Sequence, residues 1–315
     1  VNRRARSLAL WRGSATVDAP PATLAIETTT RCNLQCVGCL RRWDDAPPQD
    51  MADDVFAAAL AWPGVESVLL YGLGEPLLDE KIFDRIRAAK ARGLLVQLST
   101  NATLLDEKRR RRLREAAPDV VIFSLDAADA ETYHRVRGDF DFETVVNQVD
   151  AFIRDAPDRL QCVVQFVALP ENRGQVDAFR RRFGHLGARR LRIKADETRP
   201  RRFADSAPRP RRPCPVLFAG ALYLRADGSV LPCCHMIGTE PLGRLPHDDL
   251  SALWNSPRMQ RLRAMHGAGR VNDIAACRVC SLPLPPRLPA ACALLLPQRV
   301  FRALLPLAER FAPKV

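Results

Sequence analysis

Three cysteines, Cys32, Cys36 and Cys39, stand in a Cys-x3-Cys-x2-Cys array directly after a short apolar run, Ala22 to Glu27. A short loop leaving a strand gathers three thiolates at one point. Three thiolates can each hold one iron of a 4Fe–4S cube. The fourth iron then has no protein ligand on the loop and stays open to a bound molecule. Structural zinc is the competing reading, and zinc wants a fourth ligand nearby. The next histidine is His134 and the next cysteine is Cys162, so only long-range folding supplies one.

The chain has 315 residues and is 47 % hydrophobic, enough for one large α/β domain with a small one appended. Its ten cysteines, in so long a chain, do not read as a secreted disulfide framework. Clustered Cys-x2-Cys spacings point to metal instead. Val1 to Arg12 is basic but runs into Gly13, Ser14 and Thr16, so no signal peptide is expected. No uncharged apolar run reaches about 18 residues, so no spanning helix is expected and the cytoplasm is the expected compartment. The net charge is +12, nearly all from arginine. Nucleic acid is one partner for such a balance, but aromatic content is 6 % and no basic stretch is interleaved with stacking rings, which argues against it. A basic face also suits an acidic electron donor, and arginine enrichment can reflect a GC-rich genome.

Residues 1–21 read as a basic, poorly ordered arm. Residues 22–195 alternate strands with helices. The strands are expected at Ala22–Glu27, Val65–Tyr71, Leu94–Ser99, Asp119–Ser124, Leu160–Leu169 and Arg190–Ala195. Alternation of this kind argues a parallel sheet with outer helices. A full eight-fold barrel typically needs about 250 residues. The expected fold is therefore α/β, a partial (β/α)6 TIM-like barrel, with a small C-terminal Cys-rich α+β subdomain. Residues 196–213, dense in Arg and Pro, read as an extended linker, with an RNA-phosphate clamp as the alternative. Residues 214–281 form the Cys-rich subdomain, in which Asp227-Gly228 between apolar runs predicts a hairpin. Residues 282–315 read as a tail helix that packs on the barrel, because Pro297 and Pro306 interrupt any long membrane-binding face.

The cysteine array, at its place after a first strand, resembles the signature of the radical S-adenosylmethionine (SAM) superfamily. That resemblance implies a 4Fe–4S cluster on Cys32, Cys36 and Cys39, whose open iron takes the amino and carboxylate groups of SAM. One electron then cleaves the sulfonium, and the 5′-deoxyadenosyl radical removes a substrate hydrogen. Gly72-Leu73-Gly74-Glu75-Pro76 resembles the family's Gly-Gly-Glu-Pro turn, with Leu73 in place of its first glycine. The turn's backbone carbonyls or Glu75 are implied as acceptors for the SAM ammonium. Ser99, Asn101, Ser124 and Asp126 resemble the family's polar contacts to the SAM carboxylate and ribose, and Arg137 an arginine that neutralises that carboxylate. Turn or cap chemistry is the alternative for each. Gly38 replaces the aromatic residue usual before the third cysteine, so packing on adenine must come from elsewhere, such as Leu40 or the fifth strand.

Cys214, Cys233, Cys277 and Cys280 form a second set. It resembles the twitch subdomain, a shortened relative of the SPASM domain, and implies one auxiliary 4Fe–4S cluster. A zinc ribbon on the same four thiols is the alternative. Cys234 adjoins a ligand and is a candidate hydrogen-atom donor or a spare. Cys162 reads as core and Cys292 as uninvolved in catalysis. Lys194 and Glu197 at the end of the sixth strand are candidate bases, with surface charge as the alternative; Asp196 and Gln165 add polar groups there. The leading expectation is a radical SAM oxidoreductase performing a two-electron oxidation, such as alcohol to ketone on a sugar or cyclitol, with the auxiliary cluster accepting an electron and flavodoxin or ferredoxin donating one. A maturase or epimerase of a ribosomal peptide is the second reading, made less favourable by the short arm before the first strand. An iron–sulfur or zinc scaffold that binds RNA is the third.

Overall fold

Apolar runs rich in β-branched residues alternate with helices whose apolar residues recur on one face, so the central strands are largely buried while the helices bury one side. The structure is a computed structural model that describes residues 2–185, 190–196, 212–280, 286–296 and 300. In chain order it contains α1 (Asn2–Arg12), β1 (Thr23–Ile26), α2 (Asp53–Ala61), β2 (Ser67–Leu70), α3 (Ile82–Ala91), β3 (Leu95–Thr100), α4 (Glu107–Ala116), β4 (Val120–Ser124), α5 (Ala130–Arg137), α6 (Phe142–Arg154), β5 (Gln161–Ala168), α7 (Val176–Phe183) and β6 (Arg190–Ala195). The C-terminal part adds α8 (Val216–Ala219), β7 (Gly220–Leu224), β8 (Ser229–Leu231), β9 (Gly243–Arg244), α9 (Leu250–Trp254), α10 (Pro257–Gly267), α11 (Ala275–Arg278) and α12 (Arg287–Leu295). All six expected strands are present, and the class is the mixed α/β of a partial TIM-like barrel.

The chain divides into two compact units. One comprises Glu27–Asp50 and Leu69–Thr198. Within it β3, β4, β5 and β6 are parallel, with Ser99 beside Ile122, Ser124 beside Gln165 and Val167 beside Lys194. Strands β3, β4 and β5 are each followed by a loop that reverses into a helix, so polar residues at their C-terminal ends face one rim. Asp106, Asp129 and Asp141 start the three following helices by accepting from the main-chain N–H of Arg109, Thr132 and Thr144. Phe123 meets Phe152 edge-on at 5.4 Å, and Phe166 lies 4.9 Å from Phe179, which locks α6 and α7 onto the sheet.

The other unit comprises Val1–Ile26, Met51–Val68 and Arg199–Lys314. Here β1 runs parallel to β7, with Leu24 beside Leu222 and Ile26 beside Leu224. β7 and β8 form the predicted hairpin, whose turn is closed by Asp227 accepting from Ser229 N–H. The two-residue strand β9 adds to β8 and was not legible in the residue pattern. Of the expected linker, residues 197–211 lie outside the described residues, as does most of the tail. The described part of the tail, α12, packs on α1, where Ser7 Oγ donates to Ala291 O at 2.9 Å.

The expected poorly ordered arm is instead the helix α1, with Arg6, Ser7, Ala9 and Leu10 buried. Its basic charge has a specific partner. Arg6, 1 % exposed, donates to Glu66 at 2.7 Å and to the carbonyls of Pro20 and Gly64, and Arg3 donates to the same Glu66. Burial opposes the charge on Glu66, but the bonds from Arg6 and Arg3 outweigh it and lower its pKa. A carboxyl with a lowered folded pKa stabilises fully above its unfolded value and loses that contribution as pH falls through the folded one. Glu66→Gln is expected to cost about 2 kcal/mol at pH 7. The gap between wild type and variant, read from urea midpoints, should close below about pH 4; a gap that persists there would mean that Glu66 acts by packing.

Candidate active site

The loop from Glu27 to Cys39 is anchored before it reaches its thiols. Thr30 exchanges hydrogen bonds with the Gln49 main chain, donates from its hydroxyl to Pro47 O, and Arg31 pairs with Asp50 at 2.6 Å. Beyond β2 the turn Gly72–Pro76 is pressed against this loop. A Cβ on Gly74 would lie 2.1 Å from Thr29 O, so only glycine fits there. Glu75 N–H donates to Arg31 O, and Leu73 N–H donates to Glu27 Oε2. The sequence departure at Leu73 is accommodated because that side chain is buried against the cavity wall.

Glu75 is 2 % exposed, and its carboxylate is filled by protein donors. Oε1 accepts from Leu77 N–H at 3.0 Å and Thr100 Oγ1 at 2.7 Å; Oε2 accepts from Asn101 N–H at 2.7 Å. Burial pushes its pKa up against the pull of these bonds. Asn101 in turn donates to Asn33 Oδ1 at 3.0 Å, and Asn33 donates to Thr103 Oγ1 at 2.7 Å. One network therefore joins the turn, the end of β3 and the residue after Cys32. Asn33, Thr100 and Thr103 escaped sequence reasoning; the only signal for them was their placement beside Cys32 and Asn101.

A cavity of about 230 Å³ opens over the rim of this unit. Cys32, Cys36 and Cys39 line it together with Gly72, Gly74, Glu75, Ser99, Asn101, Ser124, Asp126, Arg137 and Gln165. Pro76 does not line it; buried, it opens the 3-10 turn behind Glu75. The Ser99 and Ser124 hydroxyls lie 3.5 Å apart, and Gln165 donates to Ser124 Oγ. Asp126, with φ of +58°, accepts from Val167 N–H at 2.6 Å and pairs with Arg137 Nε at 3.1 Å. Burial raises the Asp126 pKa, while Arg137, the Val167 N–H and Lys194 pull it down. Burial works against the charge on Arg137, yet Asp126 and Cys36 outweigh it and raise its pKa. Arg137 Nη1 also donates to Cys36 Sγ at 3.3 Å, and Nη2 to Ser124 O. Asn172, which the sequence reading missed, holds the ends of β4 and β5 through Asp126 O and Val167 O. Glu197 lies outside the described residues.

Burial pushes the Cys32 thiol up to about 11 and raises Cys39 as well, with Cys36 adding to the effect at both. Thiolates gathered on one loop repel one another, and a cation between them relieves that repulsion. The donor set fits an iron–sulfur cube whose three irons take Cys32, Cys36 and Cys39. The polar rim beside it, with Arg137 and backbone at the turn, fits an amino acid's carboxylate and ammonium. The apolar wall comes from β5: Val167 and Leu169 line the cavity, and a Cβ on Gly38 would lie 2.8 Å from Leu169 Cδ2.

The second cysteine set lies in the other unit. Cys233 is half-buried, and desolvation followed by Cys234, Cys214 and Cys277 raises its pKa well above the ordinary thiol value. Cys280 N–H closes on Cys277 O at 3.2 Å, so the Cys-x2-Cys pair shares one turn. His266, unremarked in the sequence reading, stands between the set's two ends. Cys214 N–H donates to its Nδ1 at 3.1 Å, and its Nε2 lies 3.4 Å from Cys277 Sγ. A gathering of half-buried thiols, mutually repelling when ionised, fits a multinuclear iron site. Cys162 is buried in β5 and Cys292 is exposed.

Family models match in two places. The Radical SAM superfamily model matches residues 26–183, and an iron–sulfur cluster-binding domain model, SPASM, matches residues 214–281. A tungsten-containing aldehyde ferredoxin oxidoreductase cofactor-modifying protein of Pyrococcus furiosus is 36 % identical over 108 residues, 33 % of this chain and 30 % of that protein. An AdoMet-dependent heme synthase of Methanosarcina barkeri is 35 % identical over 122 residues, 38 % of this chain and 35 % of the relative. The alignment thus spans about a third of each of these curated relatives. Among solved structures, BtrN in complex with AdoMet and 2-DOIA aligns with a TM-score of 0.59 at 14 % identity, covering 84 % of this chain and 94 % of that one. SuiB of Streptococcus suis bound to precursor peptide SuiA aligns with a TM-score of 0.63 at 14 % identity, covering 84 % and 76 %. At such identities the structures establish the shared fold. Among the described residues no helix is long and apolar enough to cross a membrane. The three thiols on the first loop, the turn pressed against them and the C-terminal cysteine set together with these matches place the chain in the Radical SAM superfamily, an enzyme family using a 4Fe–4S cluster and SAM, with a C-terminal SPASM domain for auxiliary iron–sulfur chemistry.

Proposed function

We propose that this chain is a radical SAM oxidoreductase carrying out a two-electron oxidation, such as alcohol to ketone on a sugar or cyclitol. The observation that carries the reading is the gathering of Cys214, Cys234 and Cys277 around a half-buried Cys233, which suits a cluster able to accept an electron. When bound, the first cluster and SAM supply a 5′-deoxyadenosyl radical that takes the substrate's C–H hydrogen. Arg137 and Asn101 would orient the SAM carboxylate, the carbonyls of the Gly72–Gly74 turn its ammonium, and Ser99, Ser124 and Asp126 its ribose. Val167 and Leu169 would shield adenine. Lys194, at the end of β6, would take the hydroxyl proton as a neutral amine, with Glu197 as the alternative base. On this reading atoms and electrons balance: the hydrogen atom would leave as 5′-deoxyadenosine, the proton would go to the base, and an auxiliary cluster held by Cys214, Cys233, Cys277 and Cys280 would supply the acceptor for the remaining electron. A flavodoxin or ferredoxin would deliver the initiating electron, and the cytoplasm suits such a partner. BtrN, which binds AdoMet and 2-DOIA, supports a small-molecule substrate through its shared fold.

The second reading, peptide maturation or epimerisation, draws on Cys234 beside Cys233 as a hydrogen-atom donor, and on SuiB, whose structure holds a precursor peptide. One experiment separates the two. Reconstituted protein, given SAM, dithionite and extract of its own cell, should yield a product lighter by the mass of two hydrogens. Cys277→Ala with Cys280→Ala should still release 5′-deoxyadenosine and form little of that product, with circular dichroism and SAM affinity as folding controls. Solvent deuterium at the reacting carbon, together with loss of turnover in Cys234→Ala, would replace oxidation with epimerisation.

A further inference from the structure

His266 ends α10 and is 1 % exposed. Both of its ring nitrogens have partners, and those partners decide its tautomer. Cys214 N–H, a donor only, points at Nδ1 from 3.1 Å, so Nδ1 carries a lone pair. A neutral imidazole then bears its proton on Nε2, the atom 3.4 Å from Cys277 Sγ. A metal-ligating histidine has the opposite arrangement, because its second nitrogen usually donates to an acceptor. Here the second nitrogen accepts, so Nε2 is committed as a donor.

We infer that His266 is a positioning residue of the auxiliary iron–sulfur site, donating an Nε2–H···S hydrogen bond to Cys277 and thereby raising the reduction potential of the cluster that Cys277 holds. The inference rests on Cys277 being a ligand of that cluster. The physical cause is electrostatic. Reduction adds negative charge that spreads onto the thiolate sulfurs, and a donor aimed at one of them stabilises the reduced form more than the oxidised form. The bond is shielded from water by the burial of His266, so its effect is not diluted by competing solvent. The same ring holds Cys214 N–H, so one side chain sets the spacing between the first and third cysteines of the set. A cluster made easier to reduce in this way is suited to receive an electron from a substrate radical.

The test uses the full chain with Cys32, Cys36 and Cys39 changed to alanine, so that only the auxiliary cluster is loaded, and follows its reduction by EPR against potential. His266→Leu fills the space without a donor. It should keep its iron and shift the oxidised-to-reduced ratio at fixed potential about tenfold toward oxidised, a fall of about 59 mV for a one-electron couple. His266→Gln, whose amide places an N–H near the Nε2 position, should recover most of that shift. An unchanged midpoint in the leucine variant overturns the inference. Should the leucine variant load no cluster, pulsed EPR on unmutated protein with 15N-labelled histidine still decides: weak nitrogen coupling supports the hydrogen bond, whereas no coupling, or the strong coupling of an iron-bound nitrogen, overturns it. Adding Cys277→Ala and Cys280→Ala to the same background checks the ligand assignment separately; retention of an intact cluster there would overturn that assignment whatever His266 does.

Discussion

Alanine at Cys32, Cys36 and Cys39 together is expected to abolish release of 5′-deoxyadenosine and to halve the iron bound after anaerobic reconstitution, from about eight per chain to about four. The three thiols stand on one loop and line one cavity, so they work as a unit. Removing all three leaves Arg137 without its Cys36 contact but keeps its pair with Asp126, so the rim itself should persist. Iron and sulfide assays with product analysis check this. Four irons and bound zinc in the unaltered protein would turn the C-terminal set into a zinc site, and full iron in the triple variant would remove the assignment of the first cluster.

The second large effect is expected at Glu75. Its carboxylate accepts from Leu77 N–H, Thr100 Oγ1 and Asn101 N–H, all in a buried place. Glu75→Ala leaves those donors without an acceptor and opens a void, which should cost about 3–5 kcal/mol in urea denaturation of the cluster-free chain. Glu75→Gln keeps one acceptor but turns an NH2 toward a remaining main-chain donor, and should cost about 2 kcal/mol. SAM affinity should fall in both, because Asn101 and Asn33 lose their anchor. Loss of SAM affinity with unaltered stability would instead make Glu75 a direct contact to SAM. The two roles differ in this one comparison because a latch is already engaged without ligand, whereas a contact is not.

Residue order alone was enough for much of the fold. The strands β3 to β5 are largely apolar and lie between helices, so each fell within a residue of its expected place, and β6, with Leu191 and Ile193 alternating with charge, fell on it. The hairpin β7–β8 followed from Asp227-Gly228 in the same way. Local signals failed where a partner lay far away. Residues 1–21 are basic and looked solvated; α1 exists because Glu66, sixty residues on, neutralises Arg6 and Arg3 and lets the helix bury Leu10. Helix α12 packs against that same helix from the other end of the chain.

The candidate site divides along the same line. Cys32, Cys36 and Cys39 were legible because three ligands for one cluster must be close in sequence if a single loop is to present them. The turn Gly72–Pro76 was legible because close backbone approach demands glycine, and Gly74 meets Thr29 O for that reason. What Glu75 bonds to, which nitrogen of His266 carries the proton, and that β5 supplies Val167 and Leu169 to the cavity wall were settled only by the folded chain. Asn33, Thr100, Asn172 and His266 are unremarkable residues in a list of letters. Their roles depend on atoms brought within about 3 Å by contacts distant in sequence, and no local period or spacing encodes such a meeting.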